Sequence, residues 1–205
     1  MRIERKFLLD PHLRLYLPLW KLDGTSFRSE DAYGHLCVAT GSPWTPRGRT
    51  FNGSGQYITI TAPPFLSDTQ GTIIFRCNGT AGYPLAVEAG GNYFSVKTVA
   101  LIEIYVGALI LRGGIGTVGS TDDLTIAYTS NGSKIRGFVN GVERTFTVTS
   151  GTNSGQWFSS CTNATTFNIG GILSGGGDYT GRIKEVLLYN VSKTPSEILD
   201  DFLNE

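Results

Sequence analysis

Carboxylates that act together as acid, base or nucleophile must share one face of an element. The chain offers little of that pattern. Glu88 stands alone, and Glu103 sits in Ile102-Glu103-Ile104-Tyr105-Val106-Gly107 without a partner acid. Asp122 and Asp123 are neighbours, so on a strand they would point to opposite faces. His12 and His35 are the only histidines, and neither lies beside a Gly-x-Ser-x-Gly type of nucleophile motif. Turn or surface roles suit them better than catalysis. Cys37, Cys77 and Cys161 are an odd set with no Cys-x-x-Cys or zinc spacing. Buried free thiols are the first reading, and one disulfide with one free thiol is the alternative. Gly113-Gly114 and Gly175-Gly176-Gly177 lack the strand-to-helix context of a phosphate loop and read as turns. The expectation from these residues is that the protein is not an enzyme.

Aromatic side chains are the stronger candidates for chemistry. Trp20, Trp44 and Trp157, and Tyr83, Tyr93 and Tyr179, lie near turn residues. The C–H faces of sugars stack on such rings, and polar turn groups bind the hydroxyls. Loops on a rigid scaffold often carry binding. The candidate ligand-binding set is therefore Trp44, Tyr83, Trp157 and Tyr179, with Asn92 and Asp178 as polar partners. The competing reading packs these rings into the core, where large aromatics usually bury most of their area. Asn-x-Ser/Thr triplets begin at Asn52, Asn78, Asn131, Asn163 and Asn190. Chance accounts for them in a chain rich in Ser and Thr.

To position such groups, the chain has 205 residues, 40% of them hydrophobic and only 17% charged, with 27 glycines. That composition suits strands joined by tight turns. Basic and acidic residues balance at 17 each. No basic surplus argues for nucleic acid as a partner, and Arg2, Arg5 and Lys6 read as a solvated terminus. The opening residues show no signal-peptide pattern. The most apolar stretch, Val99 to Leu111, contains Glu103 and is too short for a membrane span, so a buried strand pair is expected instead.

Phe51 to Ile60 alternates apolar and polar residues and reads as a half-buried strand. Thr72 to Cys77, Asn92 to Val99 and Glu103 to Leu111 are further strand candidates. Leu124 to Thr129, Lys134 to Val139 and Val142 to Val148 form a meander, turned at Asn131-Gly132 and Asn140-Gly141. One helix is expected at the end. Thr194 caps it, Pro195 opens it, and Glu197 closes a capping box. Ile198, Leu199, Phe202 and Leu203 then share one face, which would pack on a sheet edge. Residues 1–12 read as an extension or first edge strand, and 13–205 as one domain.

Three segments resemble a known family. Asp31-Ala32-Tyr33-Gly34-His35 leads through Gly41, Trp44 and Gly48 to Phe51-Asn52-Gly53-Ser54-Gly55-Gln56-Tyr57-Ile58. Phe138-Val139-Asn140-Gly141-Val142 is a hairpin motif, and Gly181-Arg182-Ile183-Lys184-Glu185-Val186-Leu187-Leu188-Tyr189-Asn190 is a closing strand. In this order they resemble the laminin-G-like domains of the concanavalin A-like superfamily, over roughly residues 13 to 203. The resemblance implies an all-β, two-sheet antiparallel jelly-roll sandwich with a short C-terminal helix. The glucanase branch carries a Glu-x-Asp-x-x-Glu triplet on one strand, and none occurs here. Asn52, Gly55, Gln56 and Lys184 stand where that family often has acids. No cofactor is therefore expected and a structural calcium ion is not favoured, although Asp23, Asp31, Asp178 and Glu185 remain as oxygen donors. Turn capping is their ordinary role.

The leading functional expectation is a non-catalytic module for carbohydrate or adhesion, outside the cell or on a particle surface. Its partner would be a glycan or cell-surface polysaccharide, with no nucleic acid and no membrane insertion. The alternative is a structural subunit of a virion, appendage or surface assembly that self-associates through the jelly roll.

Overall fold

Alternation of side chains along strands decides this architecture, because nearly every strand presents one apolar side to the same core. In a computed structural model, the described residues are 6–97, 101–116, 120–172 and 177–203. In chain order the first strands are β1 (Leu13–Pro18), β2 (Ser26–Arg28), β3 (Leu36–Thr40), β4 (Trp44–Thr45), β5 (Gly48–Asn52), β6 (Tyr57–Thr61), β7 (Gly71–Ala81) and β8 (Leu85–Ala89). Then come β9 (Asn92–Lys97), β10 (Leu101–Val106), β11 (Ala108–Gly114), β12 (Ser120–Ser130), β13 (Ile135–Val139) and β14 (Val142–Arg144). β15 (Thr147–Gly151), β16 (Thr166–Ile169), β17 (Thr180–Tyr189) and helix α1 (Pro195–Leu203) complete the chain.

Two antiparallel sheets face each other. The smaller has eight strands in the order β14-β13-β12-β7-β17-β5-β4, with β1 also paired to β17. The first half of β17 pairs with β5 and its second half, Glu185 to Tyr189, with β1. The larger has nine strands in the order β15-β11-β10-β9-β8-β16-β6-β3-β2. Between them lie Phe75, Val87, Phe94, Ile104, Tyr128, Phe167 and Val186, all buried. The expected all-β two-sheet sandwich is thus the observed fold. Among the described residues no helix is long and apolar enough to cross a membrane.

Several elements differ from the sequence reading. Phe51 to Ile60 is not one strand. Phe51 and Asn52 end β5 in the smaller sheet, and Tyr57 begins β6 in the larger one. Asn52 itself makes the break: its side-chain oxygen accepts from the Ser54 N–H, and its own N–H donates to Gln56 Oε1 at 2.8 Å. Val142 to Val148 also divides, because the chain leaves the smaller sheet after Arg144 and joins β11 of the larger one at Thr147. Glu103 to Leu111 is the hairpin β10–β11, folded at Gly107, whose φ of +62° suits a residue without a side chain. Asn140 and Gly141 both have positive φ, +50° and +76°, as a type I′ turn requires. Asn131-Gly132 turns otherwise: the Asn131 side chain accepts the N–H groups of Ser133 and Lys134. All three cysteines are buried free thiols, so the disulfide alternative does not form.

Helix α1 carries its predicted capping box. The Thr194 N–H donates to Glu197 Oε2 at 2.7 Å, and the Glu197 N–H to Thr194 Oγ1 at 3.4 Å. It packs over the outer face of the smaller sheet and reaches the β14 edge, where Leu199 and Phe202 lie against Gly141. Ile198 joins Ile74, Ala127, Phe138 and Leu187 on that face. Leu199 and Leu203 remain exposed, so the buried stripe is narrower than the spacing implied. Arg2, Arg5, Val99, Gly175 and Gly176 fall outside the described residues.

Candidate functional site

The helix covers one sheet, while the far face of the other is lined with polar side chains. Ile102 and Ile104 of β10, Phe94 and Val96 of β9, Leu85 and Val87 of β8, and Phe167 and Ile169 of β16 point into the core. Alternation therefore turns Glu103, Tyr105, Tyr93, Ser95, Glu88 and Asn168 outward. Strand register aligns them. Arg112 lies opposite Glu103, Glu103 opposite Ser95, Ser95 opposite Ala86, Ala86 opposite Asn168, and Asn168 opposite Thr59. A second row runs Tyr105, Tyr93, Glu88 and Thr166.

These groups satisfy one another. Asn168 Nδ2 donates to Glu88 Oε1 at 2.8 Å, and its Oδ1 accepts from the Thr59 hydroxyl at 2.9 Å. Arg112 Nε donates to Glu103 Oε1 at 2.5 Å, and the Tyr83 hydroxyl donates to Glu103 Oε2 at 3.2 Å. Burial, followed by the negative Glu103, pushes the Tyr83 phenol up to about 12. Tyr83 therefore stays a hydrogen-bond donor across ordinary pH. Lys97 Nζ lies 5.1 Å from the centre of the Tyr83 ring. Tyr93 and Tyr105 stack with ring centres 5.6 Å apart and planes 15° from parallel. Glu103 is nearly buried, whereas the Arg112 side chain is 47% exposed. Ser95 and Asn168 are fully buried, so the groups a polyhydroxylated ligand can reach are the half-buried Tyr93–Tyr105 pair, the half-buried Tyr83 and the exposed Arg112 side chain.

The sequence-predicted set does not converge. Trp157 is 1% exposed and packs against Phe94 and Phe158, with ring centres 5.5 and 5.0 Å away. Tyr179 is fully buried, and its hydroxyl donates to the Asn78 carbonyl at 2.8 Å. Both are core residues, which corrects the expectation that they stand clear at a rim. Trp44 is exposed, but on β4, the edge strand of the smaller sheet. Tyr83 and Asp178 do share one rim, where the Tyr83 N–H donates to the Gly177 carbonyl and Asp178 accepts from the Gly55 N–H. Asn92 sits at the other end of β8, its side-chain oxygen accepting from the Gly107 N–H. Glu103, Tyr105, Arg112, Ser95 and Asn168 were missed. Their signal was the alternation itself, Tyr93-x-Ser95-x-Lys97 and Glu103-x-Tyr105 between core residues.

Among the described residues no group of three or more His, Cys, Asp or Glu gathers as a metal site. The remaining donor acids serve the protein. Asp31 accepts from the N–H groups of Tyr16, Tyr33 and Gly34, and Glu185 pairs with Arg76 at 3.2 Å. Asp23 accepts from the Gly24 N–H.

The class defined by fold and face is a two-sheet antiparallel β-sandwich with a hydrogen-bonded polar row on the outer side of the larger sheet. No protein-family model and no curated protein matches the sequence. Among solved structures the chain is similar to Trypanosoma rangeli sialidase, with a TM-score of 0.67 and 18% identity over 94% of this chain and 33% of that one. The same sialidase in complex with sialic acid matches with a TM-score of 0.68 and 19% identity over the same shares. Ruminococcus gnavus IT-sialidase CBM40 bound to α2,3 sialyllactose matches with a TM-score of 0.55 and 16% identity, over 68% of this chain and 85% of that one. The chain thus spans about a third of the length of the sialidase chains it matches. At these identities the likeness establishes the sandwich, and the laminin-G-like name is not among those these neighbours carry. The expectation that the protein is not an enzyme is overturned, because chains containing this sandwich include sialidases. Local sequence motifs of acids, histidines, cysteines and glycines are too narrow a criterion, because catalytic groups can be brought together from distant strands.

Proposed function

We propose that the outer face of the larger sheet binds a glycan chain, outside the cell or at a particle surface. The observation that carries this reading is the stacked Tyr93–Tyr105 pair beside a hydrogen-bonded polar row, on a face that helix α1 does not cover. The rings supply a stacking platform. Ser95, Thr166 and Asn168 hold the polar floor in place, and Tyr83 and Asn92 flank it at opposite ends of β8. Arg112 is the partner for an acidic sugar, because its side chain is 47% exposed, although its Nε and one terminal nitrogen are held by Glu103. The structural neighbours support this choice of ligand, since one is described with sialyllactose and another with sialic acid.

The test is a glycan array that includes α2,3-sialyllactose, followed by titration of Tyr105→Ala and Arg112→Gln. Tyr105→Ala should weaken binding of any ligand at least tenfold, which corresponds to about 1.4 kcal/mol, with the fold intact. Arg112→Gln should weaken only acidic ligands. An array without a single ligand, or unchanged binding by Tyr105→Ala, refutes the proposal. The structural-subunit reading has one observation in its favour. β15 is an edge strand of the larger sheet, exposed along its whole length, with no charge or proline to blunt pairing. Defined oligomers dispersed by Thr149→Lys, together with a blank array, would support it.

A further inference from the structure

A second feature lies on the flank of the sandwich, away from the stacked tyrosines. Beyond β14 the chain 145–146 leaves the smaller sheet and crosses to the larger one. An open cleft of about 440 Å³ lies there, lined by Lys134, Arg136, Glu143, Arg144 and Phe146 among others. Three cations thus face one carboxylate. Glu143 is fully engaged: it accepts from Arg136 Nε at 2.8 Å and from its terminal nitrogen at 2.5 Å. That fork cancels one positive charge and fixes the Arg136 side chain. Lys134 and Arg144 are exposed; the Arg136 fork, and after it the nearby Lys134, hold the Glu143 carboxyl below its ordinary range. With three cations and one carboxylate in its lining, the cleft carries a net positive charge.

The way out of the cleft is free of acids. From Thr145 to Gly177 the sequence contains no Asp, Glu, Lys or Arg. β15 belongs to this stretch and exposes Thr147, Thr149 and Ser150. Ser150 stands opposite Arg112 at the margin of the tyrosine face. A cationic cleft, an edge of hydroxyls and an exposed guanidinium thus follow one another around the flank. A neutral sugar would gain little from this charge pattern, whereas an anionic chain would meet two cations in the cleft, then hydroxyls, then the Arg112 side chain, whose charge Glu103 balances.

We infer that the Lys134–Arg144 cleft is an anion subsite for a polysaccharide bearing sulfate or carboxylate groups. This rests on the glycan reading and extends it to the class of chain bound. Nucleic acid is the disfavoured occupant, because the chain has no net charge and the cleft has no exposed ring for a base. Phe146, its one aromatic, is packed against the core.

The experiment uses dextran sulfate, carboxymethyl-dextran and unmodified dextran of one length, with poly(dT) as a fourth probe. Binding to the wild-type chain is compared with Lys134→Gln/Arg144→Gln and with Arg47→Gln. Arg47 is an exposed cation in the turn between β4 and β5, at the opposite edge of the smaller sheet. The double variant should lose roughly tenfold or more in affinity for a charged dextran, with a shallower salt dependence and unchanged melting. Arg47→Gln should bind as the wild type does. Loss on dextran sulfate alone identifies sulfate as the anion, and loss on both charged dextrans identifies either group. Equal losses in the double variant and Arg47→Gln, no loss in either, or tighter binding to poly(dT) overturns the inference. If Tyr105→Ala abolishes binding on the array while the double variant matches the wild type, the cleft assignment falls and the glycan reading stands. If neither the array nor any dextran binds, both fall.

Discussion

Trp157 is the sharpest test of which aromatic rings build the core. Its indole is almost wholly enclosed, stacked on Phe158 at 22° and met edge-on by Phe94. A Cβ added at Gly71 would stand only 2.6 Å from its Nε1, so the ring fills its site to contact. Trp157→Ala leaves a cavity that close packing cannot readily refill. Truncations of buried Phe or Trp cost about 3–5 kcal/mol. With a urea slope of about 2–3 kcal/mol per molar, the midpoint should fall by roughly 1–2.5 M. Trp44→Ala is the internal control. That ring is 37% exposed on a two-residue edge strand, and its removal should shift the midpoint by only a few tenths molar, roughly 0.2–0.3 M. Urea denaturation of both variants, followed by circular dichroism, decides the matter. A Trp157→Ala midpoint close to wild type, or a Trp44→Ala midpoint equally low, would refute this account of the core.

Two further outcomes follow from local chemistry. Thr194→Ala should cost about 1 kcal/mol by removing the cap of α1. Hydrogen bonds from the Thr194 hydroxyl and N–H hold Glu197 below its ordinary value of 4.5. The carboxylate's share of stability is therefore complete above that value and is lost as pH falls through the lowered one. Urea midpoints between mildly acidic and strongly acidic pH should show this loss, and Glu197→Gln should flatten that part of the curve; a parallel curve would count against the box. Burial pushes the thiols of Cys37 and Cys77 up to about 12 and that of Cys161 to about 11. A thiol-specific chromogenic reagent at mildly alkaline pH should find no reactive cysteine in the folded chain and all three after denaturation. One fast thiol in the folded state would contradict the packing.

The features that were readable in the sequence are those fixed by a few adjacent residues. Asn140-Gly141 specifies its turn because both positions tolerate positive φ, and Thr194 and Glu197 cap a helix within one turn. The polar row is of another kind. Ser95 reaches Asn168 only because β8 pairs with β9 on one edge and with β16 on the other. No local pattern reports that β16, more than sixty residues downstream of β9, is the next strand but one. The division of Phe51 to Ile60 was hidden for a related reason. Alternation continues through the Asn52–Gln56 loop, although the chain changes sheets there.

The misplaced rings have a common physical cause. The sequence points Trp157 and Tyr179 to the rim because each lies within a few residues of Gly, Pro or Ser turns, and such residues usually mark exposed turns. In this sandwich glycines from distant strands make sockets for such rings. A Cβ at Gly79 would lie 2.4 Å from the Tyr179 hydroxyl, and one at Gly170 would lie 2.1 Å from the Phe51 ring. Backbone without a side chain lets an aromatic ring come to contact and be buried against it. The rings that remain for a ligand, Tyr93 and Tyr105, pair across neighbouring strands β9 and β10 and are set there by alternation rather than by a turn. The candidate site therefore lies on the regular part of the sheet, where the position of each group is fixed by its strand neighbours and by hydrogen bonds already made.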